Sequence, residues 1–189
     1  MAQISSTEAE KEAIIEVAKL MAVSVRTAPK TRGLDSVKTV ILHGDEELEK
    51  LAQALEQIYH EDAERLPFFQ RNAEDVRKSA AVLVIGVTGE PKRVELPLDC
   101  GACGMNCSAM QKAKKKDTGN ARGPMCLMQG IDLGIAIGSA VKAAADYNVD
   151  NRVMYSIGVG ARRLKFIDAD LVAGIPLSAT GRNLYFADS

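Results

Sequence analysis

Cys100, Cys103, Cys107 and Cys126 are the only cysteines of the 189-residue chain, and they fall within 27 residues in the spacing C-x2-C-x3-C-x18-C. Independent placement would seldom cluster them so tightly. Gly101 and Gly104 separate the first three. Glycine lets a backbone fold closely round a metal and aim its N–H groups at thiolate or sulfide. Four thiolates suit zinc or an iron–sulfur cluster. A structural zinc site usually shows two short cysteine pairs, whereas a compact triplet plus one distant cysteine is nearer to the grip on a four-iron cluster. The second gap is three residues, which departs from the bacterial ferredoxin run. Four small buried side chains without a metal would explain neither the glycines nor the clustering. The spacing predicts a metal centre at Cys100, Cys103, Cys107 and Cys126, with an iron–sulfur cluster, 4Fe-4S, ahead of zinc.

A second group of chemically capable residues precedes it. Arg26-Thr27-Ala28-Pro29-Lys30-Thr31-Arg32-Gly33 packs three cations and two hydroxyls into eight positions. Arg and Lys pair with phosphate oxygens and Thr adds hydrogen bonds. The plainer alternative is a solvated loop after a helix whose C-terminus favours positive charge. Gly158-Val159-Gly160, followed by Arg162 and Arg163, is a weaker anion pattern, since a lone G-x-G is unspecific. His43 and His60 stand apart from any constellation and read as surface residues.

Gly130, Gly134 and Gly138 recur at i, i+4 and i+8 and share one helix face. Each glycine costs a helix roughly 1 kcal/mol against alanine, so three cost about 3 kcal/mol. Something must need that face flat. A partner helix, a second subunit, a planar cofactor ring or close packing within the chain would each do so.

These groups need elements to position them. Ser5, Ser6 and Thr7 offer N-caps, with Ser5–Glu8 or Thr7–Glu10 as a capping box, and Ile14, Val17, Ala18, Met21 and Val25 form one helical stripe ending near Thr27. Residues 37–42 read as a strand. Leu48, Leu51, Leu55 and Ile58 mark a second helix, Pro67 closes its region, and residues 73–79 a shorter helix. The apolar run 80–87 reads as a buried central strand. Cys126 opens a long helix to about residue 148. Residues 152–157 read as a strand, 168–173 as a short helix and 183–186 as a last strand. No repeat or linker divides the chain, so residues 1–189 are expected to form a single domain carrying a cysteine-rich segment at 100–126.

Composition narrows the partners. The net charge is −1 and aromatics are 4% with no Trp, which leaves neither the electrostatic footprint nor the stacking platforms of a nucleic-acid binder. The start lacks a basic region followed by an apolar core, and no apolar run is long enough to span a membrane. A cytoplasmic setting is expected, where thiols stay reduced or bind metal.

Three stretches carry a resemblance: RTAPKTRGLD at 26–35, CGACGMNC at 100–107 and CLMQGIDLGIA at 126–136. They resemble a family of prokaryotic proteins described as containing a ferredoxin domain, which implies a cluster at the four cysteines. A more distant resemblance is to FMN-dependent nitroreductases. It rests on residues 26–32, the strand at 81–87, D-x-G-x-A at Asp132 to Ala136, Ile157-Gly158 and Gly174-Ile175-Pro176. It implies an α+β fold with a mainly antiparallel sheet flanked by helices. It further implies a homodimer with FMN at the subunit interface, its phosphate at Arg26, Thr27, Lys30 and Arg32. The combined expectation is an iron–sulfur redox protein or oxidoreductase served by a ferredoxin-like electron donor. The alternatives are a binding module tied by structural zinc or a cluster, and a cluster carrier or redox sensor.

Overall fold

Residues 3–186 are described in a computed structural model of the chain. Its architecture follows from one strand. All seven residues of β2 (Ala81–Val87) are buried. A strand buried on both faces must lie inside a sheet with cover above and below. β2 pairs antiparallel with β1 (Val37–His43) and with β6 (Leu171–Ser178), while the short β5 (Asp150–Asn151) adds to β6, giving the order β1-β2-β6-β5.

Side chains alternate across a strand. Ala81, Leu83, Ile85 and Val87 pack with α1 (Ser6–Thr27) and α5 (Leu127–Asp146). Val82 and Val84 face the opposite way, onto α2 (Asp45–Glu61), α3 (Phe68–Arg77) and α6 (Tyr155–Arg163). The result is an antiparallel sheet flanked by helices, as expected. α1 buries the stripe Ile14, Val17, Ala18, Met21 and Val25, and the Ser5 side chain accepts from the Glu8 N–H at 3.2 Å.

The C-terminal third departs from the sequence expectations. Residues 152–157 are not a strand: Met154 makes one bridge to Gly174, and α6 begins at Tyr155. The glycines explain why. A Cβ at Gly158 would lie 2.1 Å from the Val172 carbonyl oxygen, and one at Gly160 would lie 2.8 Å from Leu55. They let a helix sit directly on β6 and α2 rather than end a strand. Residues 168–173 are not a helix, because Leu171 already belongs to β6. Residues 183–186 form a turn whose Tyr185 is fully buried, its hydroxyl 2.9 Å from Ser79 Oγ, so the aromatic ring plugs the core instead of pairing. α3 starts at Phe68, five residues earlier than expected, because Pro67 takes helical angles and opens the helix.

Between β2 and α5 the chain makes a long excursion containing every cysteine: an irregular stretch, α4 (Cys107–Lys112), and a hairpin of β3 (Lys116–Asp117) with β4 (Arg122–Gly123). One carboxylate fastens it. Asp170, 2% exposed, accepts from the Gly89 N–H at 2.8 Å and from Lys115 Nζ at 2.5 Å, and Arg122 Nε lies 2.7 Å from its other oxygen. The Arg122 contact is an ion pair rather than an aligned hydrogen bond. Burial pushes the pKa of this carboxyl up, but Lys115, the Gly89 N–H and Arg122 outweigh it, and the net pKa lies below the usual carboxylate range.

A depressed folded pKa means stability that is present above the unfolded value, near ~3.9, and lost as pH falls through the lower folded value. Asp170→Asn should lower stability at neutral pH by about 2–3 kcal/mol, the low end for breaking a buried pair because Lys115 and Arg122 are partly exposed. Urea unfolding at a series of pH values should show the difference from wild type shrinking below about pH 4. A variant as stable as wild type at neutral pH would contradict this role.

Candidate metal centre

The loop that carries the first three cysteines is built from tight turns. Asp99, Gly101 and Gly104 all have positive φ, at 43°, 70° and 80°, and the Gly104 N–H returns to the Gly101 carbonyl at 2.8 Å. Cys100 is exposed there, and Cys103 is half-buried with its thiol 3.6 Å from the Met105 carbonyl. Cys107 opens α4. Asn106 caps that helix by accepting from Ala109 N–H at 2.8 Å, and the Cys107 N–H donates to Asp99 at 2.6 Å. Met110 of α4 is buried.

Cys126 is different. It is buried, it is the N-cap of α5, and its N–H donates to the Gly89 carbonyl at 2.7 Å. A Cβ at Gly89 would stand 2.3 Å from Met125 Cβ, so only glycine lets the start of the excursion press against its end. The root of the cysteine loop therefore lies beside the fourth cysteine. N–H groups at the first turn of α5 favour negative charge at that point.

None of the four cysteines is in a disulfide. Among the described residues no three Cys, His, Asp or Glu side chains stand close enough to hold an ion, so the four sulfurs do not share one point. The donor set fits a thiolate-bound metal in kind: four free thiols, three on a glycine-hinged loop and one on a rigid helix.

The segment at 26–32 behaves otherwise than a phosphate cradle. Arg26 pairs with Asp35, and Thr27 Oγ1 donates back to Val23 and Ser24 carbonyls. The Lys30 side chain is 5% exposed and its ammonium donates to the Val25 and Arg26 carbonyls, capping the end of α1. Arg32, at φ 60°, has a side chain without a partner among the described residues. Three of these four side chains are thus engaged internally. The G-x-G arginines are also engaged: Arg162 grips Asp117 with two nitrogens, and Arg163 meets Glu61 and Asn120. His43 and His60 are exposed, as expected.

Two polar side chains on α5 were not singled out as site residues from the sequence. Asp132 accepts from Thr31 N–H and hydroxyl, both at 2.8 Å, and Gln129 accepts from Ser36 at 2.6 Å. Both are buried, and each retains one polar atom, Asp132 Oδ2 and Gln129 Nε2, with no partner. Lys92 on the excursion lies over this floor: burial lowers its pKa, against the attraction of Asp132 and Asp35. A buried Gln–Asp pair at i, i+3 before an alanine-rich face was the available signal. The glycines at 130, 134 and 138 lie on the opposite side, where an added Cβ would meet nothing within 4 Å. Packing within the chain, one of the readings of those glycines, is therefore excluded for the described residues.

Among the described residues no helix is long and apolar enough to cross a membrane. The profile of a family described as "Uncharacterized protein containing a ferredoxin domain" matches residues 122–187. An "Uncharacterized protein" of Archaeoglobus fulgidus is 43% identical over 184 residues, covering 97% of this chain and 96% of its own. Among solved structures, a nitroreductase with bound FMN from Desulfitobacterium hafniense superposes with a TM-score of 0.55 at 13% identity, covering 96% of this chain and 81% of that one. A nitroreductase family protein from Clostridium novyi gives 0.52 at 15% identity, covering 95% and 77%. An NADPH:FMN oxidoreductase from Vibrio harveyi gives 0.53 at 15% identity, covering 96% of this chain and 63% of its own length. At such identities the likeness is one of fold, and the fold is that of the nitroreductases. By its sequence, the chain belongs to one family with its Archaeoglobus relative, and its residues 122–187 match the model of proteins described as containing a ferredoxin domain.

Proposed function

We propose that the protein is an iron–sulfur redox protein whose cluster is held by Cys100, Cys103, Cys107 and Cys126. The observation that carries this reading is the placing of Cys126. A buried N-cap cysteine is joined through its own N–H to the root of the loop that bears the other three. When bound, a cluster of this kind supplies one-electron transfer. The chain's part is to hold and tune it. Gly101 and Gly104 give the loop tight turns on which Cys100, Cys103 and Cys107 would close round a cluster with Cys126, and the first turn of α5 favours negative charge at the fourth thiolate.

FMN enters this proposal through the fold, since the Desulfitobacterium neighbour is described with it bound. Arg32 is the one member of Arg26, Thr27, Lys30 and Arg32 still free to meet an anion, so one copy alone does not complete a phosphate site there. A second copy is the natural source of the rest. The outer face of α5 supports it: Leu127, Ile131 and Ile135 are 48%, 45% and 40% exposed, interleaved with Gly130, Gly134 and Gly138. A flat apolar helix face of this kind suits an isologous two-fold contact.

The cluster is tested on anaerobically purified protein by its ultraviolet–visible spectrum, with iron, sulfide and zinc assayed on the same sample. Iron and sulfide in equal amounts are expected, and Cys126→Ser should lose both. A colourless protein containing zinc would transfer the site to the structural-metal reading. Full iron and sulfide in Cys126→Ser would end the four-ligand claim.

The dimer is tested by sedimentation at micromolar concentration. Wild type should sediment as a dimer. Gly134→Leu, which has open space within one chain, should sediment as a monomer with unchanged far-ultraviolet circular dichroism. Quenching of FMN fluorescence on binding should disappear with the dimer. A monomeric wild type would overturn both the dimer and the shared flavin site.

A further inference from the structure

The segment joining Cys107 to Cys126 carries an excess of positive charge. Between residues 112 and 122 there are five cations, Lys112, Lys114, Lys115, Lys116 and Arg122, against one acid, Asp117, in a chain whose net charge is −1. Such a run is often only a solvated face, so the pairing of each charge decides its meaning. Lys115 and Arg122 are structural, bound to the buried Asp170. Asp117 is held by Arg162, Glu61 by Arg163 and Asp168 by Arg122. Glu90 stands 3.6 Å from Lys115. The local acids are therefore largely neutralised by cations that also build the fold.

What remains is uncompensated. Lys112, Lys114, Lys116 and, across the cleft, Lys165 are exposed, and none of their side chains has a partner among the described residues. The cleft between the hairpin and the end of α6 has a volume of about 640 Å³ and is lined by Arg122, Arg162, Arg163 and Lys165, with the paired carboxylates Asp117 and Asp168 among them. Lys112 closes the helix that Cys107 opens, and Lys116 pairs in β-ladder with Gly123, three residues before Cys126. Both arms of this basic surface thus run directly into cysteines. On the other side of Cys100 the loop exposes Leu96 and Leu98, 61% and 49% accessible, next to Glu95 and Asp99.

We propose that this basic surface, Lys112, Lys114, Lys116 and Lys165 beside the cysteine loop, docks an acidic electron-transfer protein. The inference rests on the redox reading of the four cysteines and names the partner that serves them. Complementary charge steers such encounters and raises association rates by roughly 10- to 1000-fold at low salt. Electron-transfer contacts are small and short-lived, with a few apolar atoms inside a charged ring. The lysines supply the charge, and Leu96 and Leu98 are exposed just before Cys100 in the chain. One electron crosses: the reduced iron–sulfur donor loses it, the centre held by the four cysteines gains it, no bond forms or breaks and no proton moves. Nucleic acid fits less well, because the surface has no aromatic side chain on which a base would stack.

The test uses the full, anaerobically purified chain in stopped flow, with a reduced acidic ferredoxin as one donor and reduced lumiflavin, which carries at most a single negative charge, as the other. The ferredoxin rate should fall steeply as salt rises while the lumiflavin rate holds. K112E/K114E/K116E should cut the low-salt ferredoxin rate by about tenfold or more, with the lumiflavin rate and the cluster absorption unchanged. A variant that accepts electrons from ferredoxin at the wild-type rate would overturn the proposal. So would a short RNA that binds through the same lysines and displaces ferredoxin, which would reassign the surface to nucleic acid. If the preparation has no reducible centre, the redox reading fails separately, and calorimetry with oxidised ferredoxin decides the surface. Lysine-dependent binding sustains it, and no binding overturns it.

Discussion

The geometry of the cysteine segment depends on a buried carboxylate. A charge removed from water is strongly unfavourable unless several donors meet it. Asp170 meets three, and they come from three separate places in the excursion: Gly89 at its start, Lys115 after α4, and Arg122 in the hairpin before Cys126. A stretch with little apolar content is thereby fixed to the edge of β6 at its root and along its return. The loop around Cys100 hangs between these anchors, where glycine turns leave it free of the core. That combination, firm ends and a hinged middle, is what a ligand-bearing loop requires.

The sheet explains why the anchors are where they are. β2 is buried on both faces, so functional groups sit beyond its end rather than on its surface. Val87 passes directly into Gly89, and the Asp170 N–H donates to the Val87 carbonyl at 2.9 Å just before β6 begins. The same strand end therefore receives the clasp and launches the cysteine loop. α5 extends the arrangement: its inner face carries Gln129, Asp132, Leu133 and Ala136 against the body, its first turn carries Cys126, and its outer face is left flat by glycine.

Much of this was legible in the sequence where periodicity and capping agree. The stripe of α1, the apolar run of β2 and the helix opened by Cys126 each have one dominant signal, and each lies within a residue or two of its expected place. The C-terminal third was not legible, because its glycines answer to distant neighbours. Gly158 is required by the Val172 carbonyl and Gly160 by Leu51 and Leu55, contacts that no local pattern announces. The cysteine motif could be read from spacing alone, but its clasp could not: Asp170 lies beyond the whole of α5 and α6. The segment at 26–32 shows the converse. Its crowding of cations was legible, but an acid nine residues from Arg26 and two carbonyls at the end of α1 absorb most of it.

The central claim is that four cysteines from one hinged loop and one helix terminus hold a single iron–sulfur cluster. X-ray absorption at the iron edge of anaerobically purified protein tests it most directly. The account predicts a first shell of sulfur alone together with iron–iron scattering. An iron shell of oxygen or nitrogen without iron–iron scattering, or a metal content made up of zinc, would contradict it.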